Sequence, residues 1–232
     1  MAQTQSRRAL VTGAGSGIGR AVALGLVEAG FSVALAGRRE DALQETRTLA
    51  QPSRDRVIVC PTDVTDEGQV NALFETIKLR WARLDFLFNN AGVLSPAQPL
   101  EELPVDAWRH VIDVNLTGAF LCLQAAFRMM KNQSPRGGRI LNNGSVSAQV
   151  PRPNAIAYNV SKTAINGLTK SAALEGRTHN IAVGQIDIGN ARSAMTARMS
   201  RGVRQADGAL RPEPTMDVAA VVDAVVHIAQ AP

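Results

Sequence analysis

The chain has 232 residues, 45% of them hydrophobic and only 4% aromatic, enough for one large α/β core of Ala, Val, Leu and Ile and short for two. A net charge of +5 raises nucleic acid as a partner, but the arginines (Arg7-Arg8, Arg38-Arg39, Arg54, Arg56, Arg136, Arg139) are scattered, with no aromatics between them for base stacking, which argues against it. Apolar runs well under roughly 18 residues argue against a membrane span, and Met-Ala-Gln-Thr-Gln-Ser-Arg-Arg lacks an apolar signal region, so a cytoplasmic protein is expected.

In chain order, short β-branched or apolar runs alternate with amphipathic stretches, which predicts a parallel sheet with helices on both faces. Strand Arg8–Thr12 runs into Thr12-Gly13-Ala14-Gly15-Ser16-Gly17-Ile18-Gly19-Arg20 and a helix near Gly17–Ala29. Glycines permit the tight turn and a close approach of backbone to a pyrophosphate, whose charge the helix start favours. Gly13, Ser16, Gly17, Ile18 and Gly19 are the candidate positions, although the spacing is G-x-x-x-G-x-G and not the strict dinucleotide fingerprint.

Strand Ser32–Ala36 ends in Gly37-Arg38-Arg39, where an NAD site usually carries an acid for the ribose hydroxyl. A guanidinium there suits a 2′-phosphate. Arg38 therefore favours NADP(H), with NAD(H) open because Glu40 or Asp41, otherwise first-turn acids of the next helix, could reach the ribose.

Helices follow near Glu40–Ala50, Glu67–Trp81, Val105–Lys131 and Ile156–Arg177, with strands Arg56–Pro61, Leu84–Asn89, Arg139–Asn143 and Ile181–Ile186 between them. A last helix, near Thr215–Ala229, follows Pro212 and Pro214. No linker or repeat divides the chain, so residues 1–232 read as a single nucleotide-binding domain, with 191–211 as a candidate mobile segment over a ligand or, equally, a surface excursion. Cys60 and Cys122 match neither a zinc nor a disulfide pattern, and His110, His179 and His227 are isolated, so no metal is expected.

Ala157-Tyr158-Asn159-Val160-Ser161-Lys162 sets the chain's one tyrosine and Lys162 at i and i+4 on one helix face. A free phenol, with a pKa of about 10, exchanges protons poorly near neutrality, and a neighbouring ammonium is expected to lower that value. Tyr158 then becomes a usable general acid or base.

With these motifs in order, the chain resembles the short-chain dehydrogenase/reductase family from about Arg7 to at least Ser193. The family's T-G-x-x-x-G-x-G stands as Thr12–Gly19, its N-N-A-G as Asn89-Asn90-Ala91-Gly92, and its serine, thirteen residues before the tyrosine, as Ser145. The resemblance implies a Rossmann fold, α/β and doubly wound, with a parallel sheet of about six strands. It implies an NAD(P)(H)-dependent oxidoreductase interconverting a ketone and a secondary alcohol, working as a homodimer or homotetramer. Ser145 would stabilise charge on the substrate oxygen, with Ser147 as an alternative. Lys162 would also hold the nicotinamide ribose, and Asn115 would anchor a proton-carrying water or else relieve a helix kink. Asp63 and Val64 would meet the adenine, unless Asp63 is a helix-start acid, and Asn90, Ala91 and Gly92 would line the cofactor.

The chain departs from the family pattern twice. Asp187-Ile188-Gly189-Asn190-Ala191-Arg192-Ser193 replaces the usual P-G and threonine, with Ile188 and Ser193 at the carboxamide positions, and a serine hydroxyl can make the same hydrogen bond. Where the family commonly adds a further strand, the chain reads Ala229-Gln230-Ala231-Pro232, so that strand is expected to be missing. Val93–Pro96, Gln149, Pro151, Arg152 and Asn154 are candidate walls for a carbonyl or alcohol substrate, with Arg152 either an anion site or a surface charge. The competing reading is a cofactor-binding scaffold or redox-sensing regulator with little turnover.

Overall fold

The computed structural model describes residues 6–192, 196 and 202–231. Six parallel strands, β1 (Arg8–Thr12), β2 (Ser32–Gly37), β3 (Val57–Pro61), β4 (Phe86–Asn89), β5 (Gly138–Asn143) and β6 (Ile181–Ile186), form one sheet in the order β3-β2-β1-β4-β5-β6. Between them run α1 (Gly17–Glu28), α2 (Glu40–Leu49), α3 (Glu67–Trp81), α4 (Val105–Ile112), α5 (Gly118–Asn132) and α6 (Ile156–Gly176), with α7 (Val218–Gln230) last.

The two-residue period of the strands sorts their side chains into two cores. Ala9, Val11, Val33, Leu35, Phe86 and Phe88 point to one face and pack with Val22 and Leu26 of α1, Leu43 of α2 and Val221 and Val225 of α7. Leu10, Ala34, Ala36 and Leu87 point to the other and pack with Leu73 and Ile77 of α3, Cys122 and Ala126 of α5 and Ala172 of α6. Both cysteines are buried free thiols. The strand order reverses between β1 and β4, so the chain diverges there and opens a crevice at the strands' carboxyl ends. Pairing of Val11 with Phe88, Asn89 with Asn142 and Asn143 with Ile186 brings the ends of β1, β4, β5 and β6 to that edge.

The long helix expected over Val105–Lys131 is interrupted. Between α4 and α5, Asp113–Thr117 forms a π-helical turn, in which the Gly118 N–H reaches back to the Asp113 carbonyl. Single π turns of this kind re-aim the residues they carry, here Val114 and Asn115. Val105–Asn132 taken as one rod is long and apolar enough to cross a membrane, but half of its apolar window is buried against the sheet, as in a core helix. A short antiparallel pair, β7 (Val203–Arg204) and β8 (Leu210–Arg211), was not expected from sequence. Of the segment 191–211, the rest beyond Ala191, Arg192 and Thr196 up to residue 201 lies outside the described residues.

Candidate active site

Two adjoining cavities lie over the carboxyl ends of the strands. One, about 250 Å³, is lined by Gly13, Ser16–Gly19, Asn90, Gly92–Leu94, Asn143–Ser147, Arg152, Tyr158, Lys162 and 188–191. The other, about 370 Å³, is lined by Gly13, Gly15, Ser16, Gly37, Arg38, Arg39, Thr62–Val64, 91–93 and Val114. They share Gly13, Ser16, Gly92 and Val93. Every candidate catalytic or cofactor residue from the sequence lines one of the two except Asn115 and Ser193, and Ser193 lies outside the described residues.

The glycine turn fits a phosphate on two counts. Gly13 has φ +68°, and a Cβ on Gly19 would fall on the Gly13 carbonyl oxygen and within 2.6 Å of Asn90 Nδ2. The α1 amino end has no side-chain cap and no acid in its first turn, whereas Asp66 caps α3 and Asp217 caps α7. The first-turn N–H groups and the positive end of the helix therefore face the cavity with no carboxylate on them. Thr12 fastens this turn to the next loop: its Oγ1 accepts from Asn90 N and Ala91 N at 2.9 Å each, and its carbonyl accepts from Asn90 Nδ2 at 2.8 Å. The sequence marked Thr12 only as a motif letter, and the hydroxyl's role emerges from the pairing of β1 with β4.

Arg38 and Arg39 are both exposed on the wall of the second cavity. Asp63 is no helix-start acid. Its Oδ1 accepts from Thr65 N at 3.0 Å and Thr65 Oγ1 at 2.8 Å, a local turn that leaves the α3 cap to Asp66 and keeps Asp63 on the cavity.

At the other end, Ser145 leaves β5 and Tyr158 enters on α6. The Ser145 side chain lies close enough to the Tyr158 hydroxyl to pull its titration down, and its Oγ accepts Ser147 N–H at 3.1 Å. Ser145, and not Ser147, therefore faces the phenol. Lys162 is 5% exposed; its Nζ donates to the Asn143 carbonyl at 2.7 Å and lies 5.8 Å from the Tyr158 ring centroid. This ammonium does not lower the phenol as the i, i+4 spacing led one to expect. Burial pushes the Tyr158 phenol up, and Ser145 and the Arg152 charge only partly offset it. Burial also draws the Lys162 amine down to about 8, with Asp187 acting against it.

Asn115 sits in the π turn, 2% exposed, off both cavities. Its Oδ1 accepts Val93 N–H at 2.8 Å, and its Nδ2 donates to the Val93 carbonyl at 2.9 Å and to Ser161 Oγ at 3.1 Å. Ser161 in turn donates to the Tyr158 carbonyl at 2.8 Å. Both amide protons are thus used inside the protein, and the side chain locks the loop after β4 to α6. Ser161 carried no signal in the sequence beyond its place between Tyr158 and Lys162.

Of the expected substrate walls, Val93, Leu94 and Arg152 line the first cavity. Pro151 and Asn154 line a separate hollow beside α6, and Gln149 reaches Asp187 at 3.4 Å. Arg152 is not a loose surface charge. It pairs with Glu213 and donates to Asn190 Oδ1 at 2.9 Å, while Asn190 and Gln205 donate to Glu213 at 2.7 and 3.1 Å.

A family model described as "short chain dehydrogenase" matches residues 7–204. A 3beta-hydroxysteroid dehydrogenase of Mediterraneibacter gnavus is 35% identical over 195 residues, 84% of this chain and 70% of the relative. A cis-4-hydroxycyclohexanecarboxylate dehydrogenase of Sinomonas cyclohexanicum is 37% identical over 206 residues, 89% of this chain and 82% of that one. The crystal structure of NAD+-bound xylitol dehydrogenase superposes with a TM-score of 0.87 at 29% identity, covering 97% of this chain and 92% of that one.

Proposed function

This chain belongs to the short-chain dehydrogenase/reductase family of NAD(P)-dependent oxidoreductases, and from that premise we propose that it interconverts a ketone and a secondary alcohol, with Tyr158 as general acid and base. One observation carries the reading: Ser145, Tyr158 and Lys162 line the same cavity as the glycine turn. A bound nicotinamide cofactor would supply or accept the hydride. Gly13 and Ser16–Gly19 would hold its pyrophosphate, Asp63, Val64 and Asn90–Gly92 its adenosine and central parts, and Lys162 and Ile188 its nicotinamide end.

In reduction, Tyr158 Oη donates its proton to the carbonyl oxygen while the Ser145 hydroxyl steadies the charge growing there. In oxidation, the same phenol takes the alcohol proton. A phenol raised by burial stays protonated at neutral pH and so holds the proton the carbonyl oxygen needs, and positive charge brought by an oxidised cofactor would lower it toward the range of an acceptor. Lys162, held by the Asn143 carbonyl, keeps a cation beside the phenol.

Arg38 at the rim of the second cavity favours NADP(H) over NAD(H), although the xylitol dehydrogenase resembling this chain holds NAD+. Because Glu213 neutralises Arg152, the pocket suits an uncharged carbonyl or alcohol. Exposed Phe120, Val160 and Leu174 on α5 and α6 support a homodimer or homotetramer packed through these helices. A cytoplasmic location accords with two buried free thiols.

A panel of ketones and secondary alcohols, each run with both cofactors, tests the activity. Tyr158→Phe should bind cofactor as the wild type does and lose turnover by at least about 100-fold. Retained turnover would refute the assigned acid, and cofactor binding with no turnover of any compound would favour the scaffold or redox-sensing reading.

A further inference from the structure

An acid just beyond β6, Asp187, has no part in the hydride and proton transfer as read so far. Asp187 is exposed and lies outside the lining of both cavities, yet its carboxylate is closely held. Oδ1 accepts the Ser145 N–H at 3.1 Å and Gln185 Nε2 at 2.6 Å, and Oδ2 accepts Gln149 Nε2 at 3.4 Å. Gln185 Nε2 also donates to Asn166 Oδ1, and Gln185 Oε1 accepts from Thr169 Oγ1 at 3.1 Å.

Gly144 makes room for this arrangement. A Cβ there would fall on Asp187 Oδ1 and within 2.5 Å of Gln185 Nε2. Only a residue without a side chain lets the carboxylate reach the main chain of the catalytic serine.

The surroundings of Lys162 explain what a charge at this place does. Tyr158 stands beside it on α6. From β5 it meets the uncharged Asn143, and Ser145 and the glycine turn line the same cavity without a charged side chain. Arg152 acts on Tyr158 and is itself paired with Glu213. Lys162 Nζ binds the main chain at Asn143 and Asp187 Oδ1 binds it two residues on, at Ser145, so the carboxylate and the ammonium hold one short segment, and the carboxylate works against the burial of the ammonium.

We propose that Asp187 is a positioning residue for proton transfer: it holds the Ser145 main chain so that the hydroxyl meets Tyr158, and it is the counter-charge of Lys162. The proposal rests on the Tyr158, Ser145 and Lys162 reading above. Its chemistry is electrostatic and steric, and no bond to Asp187 forms or breaks.

Two variants separate the parts. Asp187→Asn keeps an acceptor for Ser145 and Gln185 and removes the charge. Gly144→Ala evicts the carboxylate while leaving Asp187 in the chain. The primary readout is NMR of protein labelled at the lysine side chains. The chain has four, Lys78, Lys131, Lys162 and Lys170, and all but Lys162 are exposed, so the buried one titrates apart from the rest.

In wild type the Lys162 resonance should titrate near 8. In Asp187→Asn its midpoint should fall by about half a pH unit or more, and the alkaline limb of kcat should move with it while KM changes by less than about twofold. Gly144→Ala, if folded, should lower kcat about tenfold. A Lys162 midpoint unchanged or raised in Asp187→Asn would overturn the counter-charge, and full kcat in folded Gly144→Ala would overturn the Ser145 anchor. The NMR titration needs no substrate, so it stands or falls apart from the activity: absence of turnover in wild type would strike the enzymatic reading alone.

Discussion

Replacing Lys162 by methionine should abolish turnover and also change how stability depends on pH. The amine falls from 10.5 to about 8, chiefly because burial penalises the ammonium. At about 1.4 kcal/mol per pH unit, that fall costs the folded chain about 3 kcal/mol at neutral pH. Below pH 8 both folded and unfolded chains bind the proton, and the full cost is present. Between 8 and 10.5 the folded chain releases it while the unfolded chain keeps it, so the unfolded state binds more protons and stability rises with pH. About 2 kcal/mol should be recovered between pH 7 and pH 9.5. Methionine removes the charge but leaves the Asn143 carbonyl without its donor, a loss of about 1–3 kcal/mol. At pH 7 the two effects nearly offset each other. Cys60 and Cys122, pushed up to about 11 and about 12 by burial, act in the opposite sense above pH 9, but equally in both proteins. Urea unfolding followed by circular dichroism at pH 7, 8.5 and 9.5 therefore isolates Lys162 as a difference. Wild type should gain about 2 kcal/mol on Lys162→Met across that range. Parallel stability curves would refute the buried-ammonium argument.

Cofactor choice and substrate charge give two further predictions. Arg38→Leu should weaken NADP(H) by about 10- to 100-fold, the worth of a charge-assisted hydrogen bond to phosphate, and leave NAD(H) nearly unchanged. Dissociation constants read from nicotinamide fluorescence check this, and tighter NAD(H) binding by wild type would remove its basis. Arg39 shares the cavity wall, so Arg39→Leu is the matched comparison. Glu213→Gln should free the Arg152 charge and raise kcat/KM for a carboxylate-bearing carbonyl over its neutral analogue by about fivefold, roughly 1 kcal/mol. An unchanged ratio would mean that Arg152 does not address the substrate.

How much of this was legible from the residues depends on range. The strands, the glycine turn and the Tyr158–Lys162 pair are local patterns, set by two-residue and 3.6-residue periods and by backbone freedom at Gly13. Their boundaries came within about two residues. The π turn at Asp113–Thr117 was not legible, because helix propensity does not distinguish a continuous rod from one holding an extra residue. What places that turn is tertiary: Asn115 satisfies both main-chain groups of Val93, and the helix yields to let it do so.

The order of motifs along the chain determined the family, the parallel sheet and the candidates for the reacting side chains, since each motif is short and carries its own chemistry. The titration of those side chains belonged to the fold. The lysine spacing alone implied a lowered phenol, yet desolvation raises it, because burial depends on every element that closes over α6. Tertiary structure likewise decided the partners of Arg152 and Asp187. Arg152 and Glu213 are 61 residues apart and Ser145 and Asp187 are 42 apart, too far for any local pattern to pair. They meet because parallel strands need long crossovers, which bring distant carboxyl ends to one edge of the sheet.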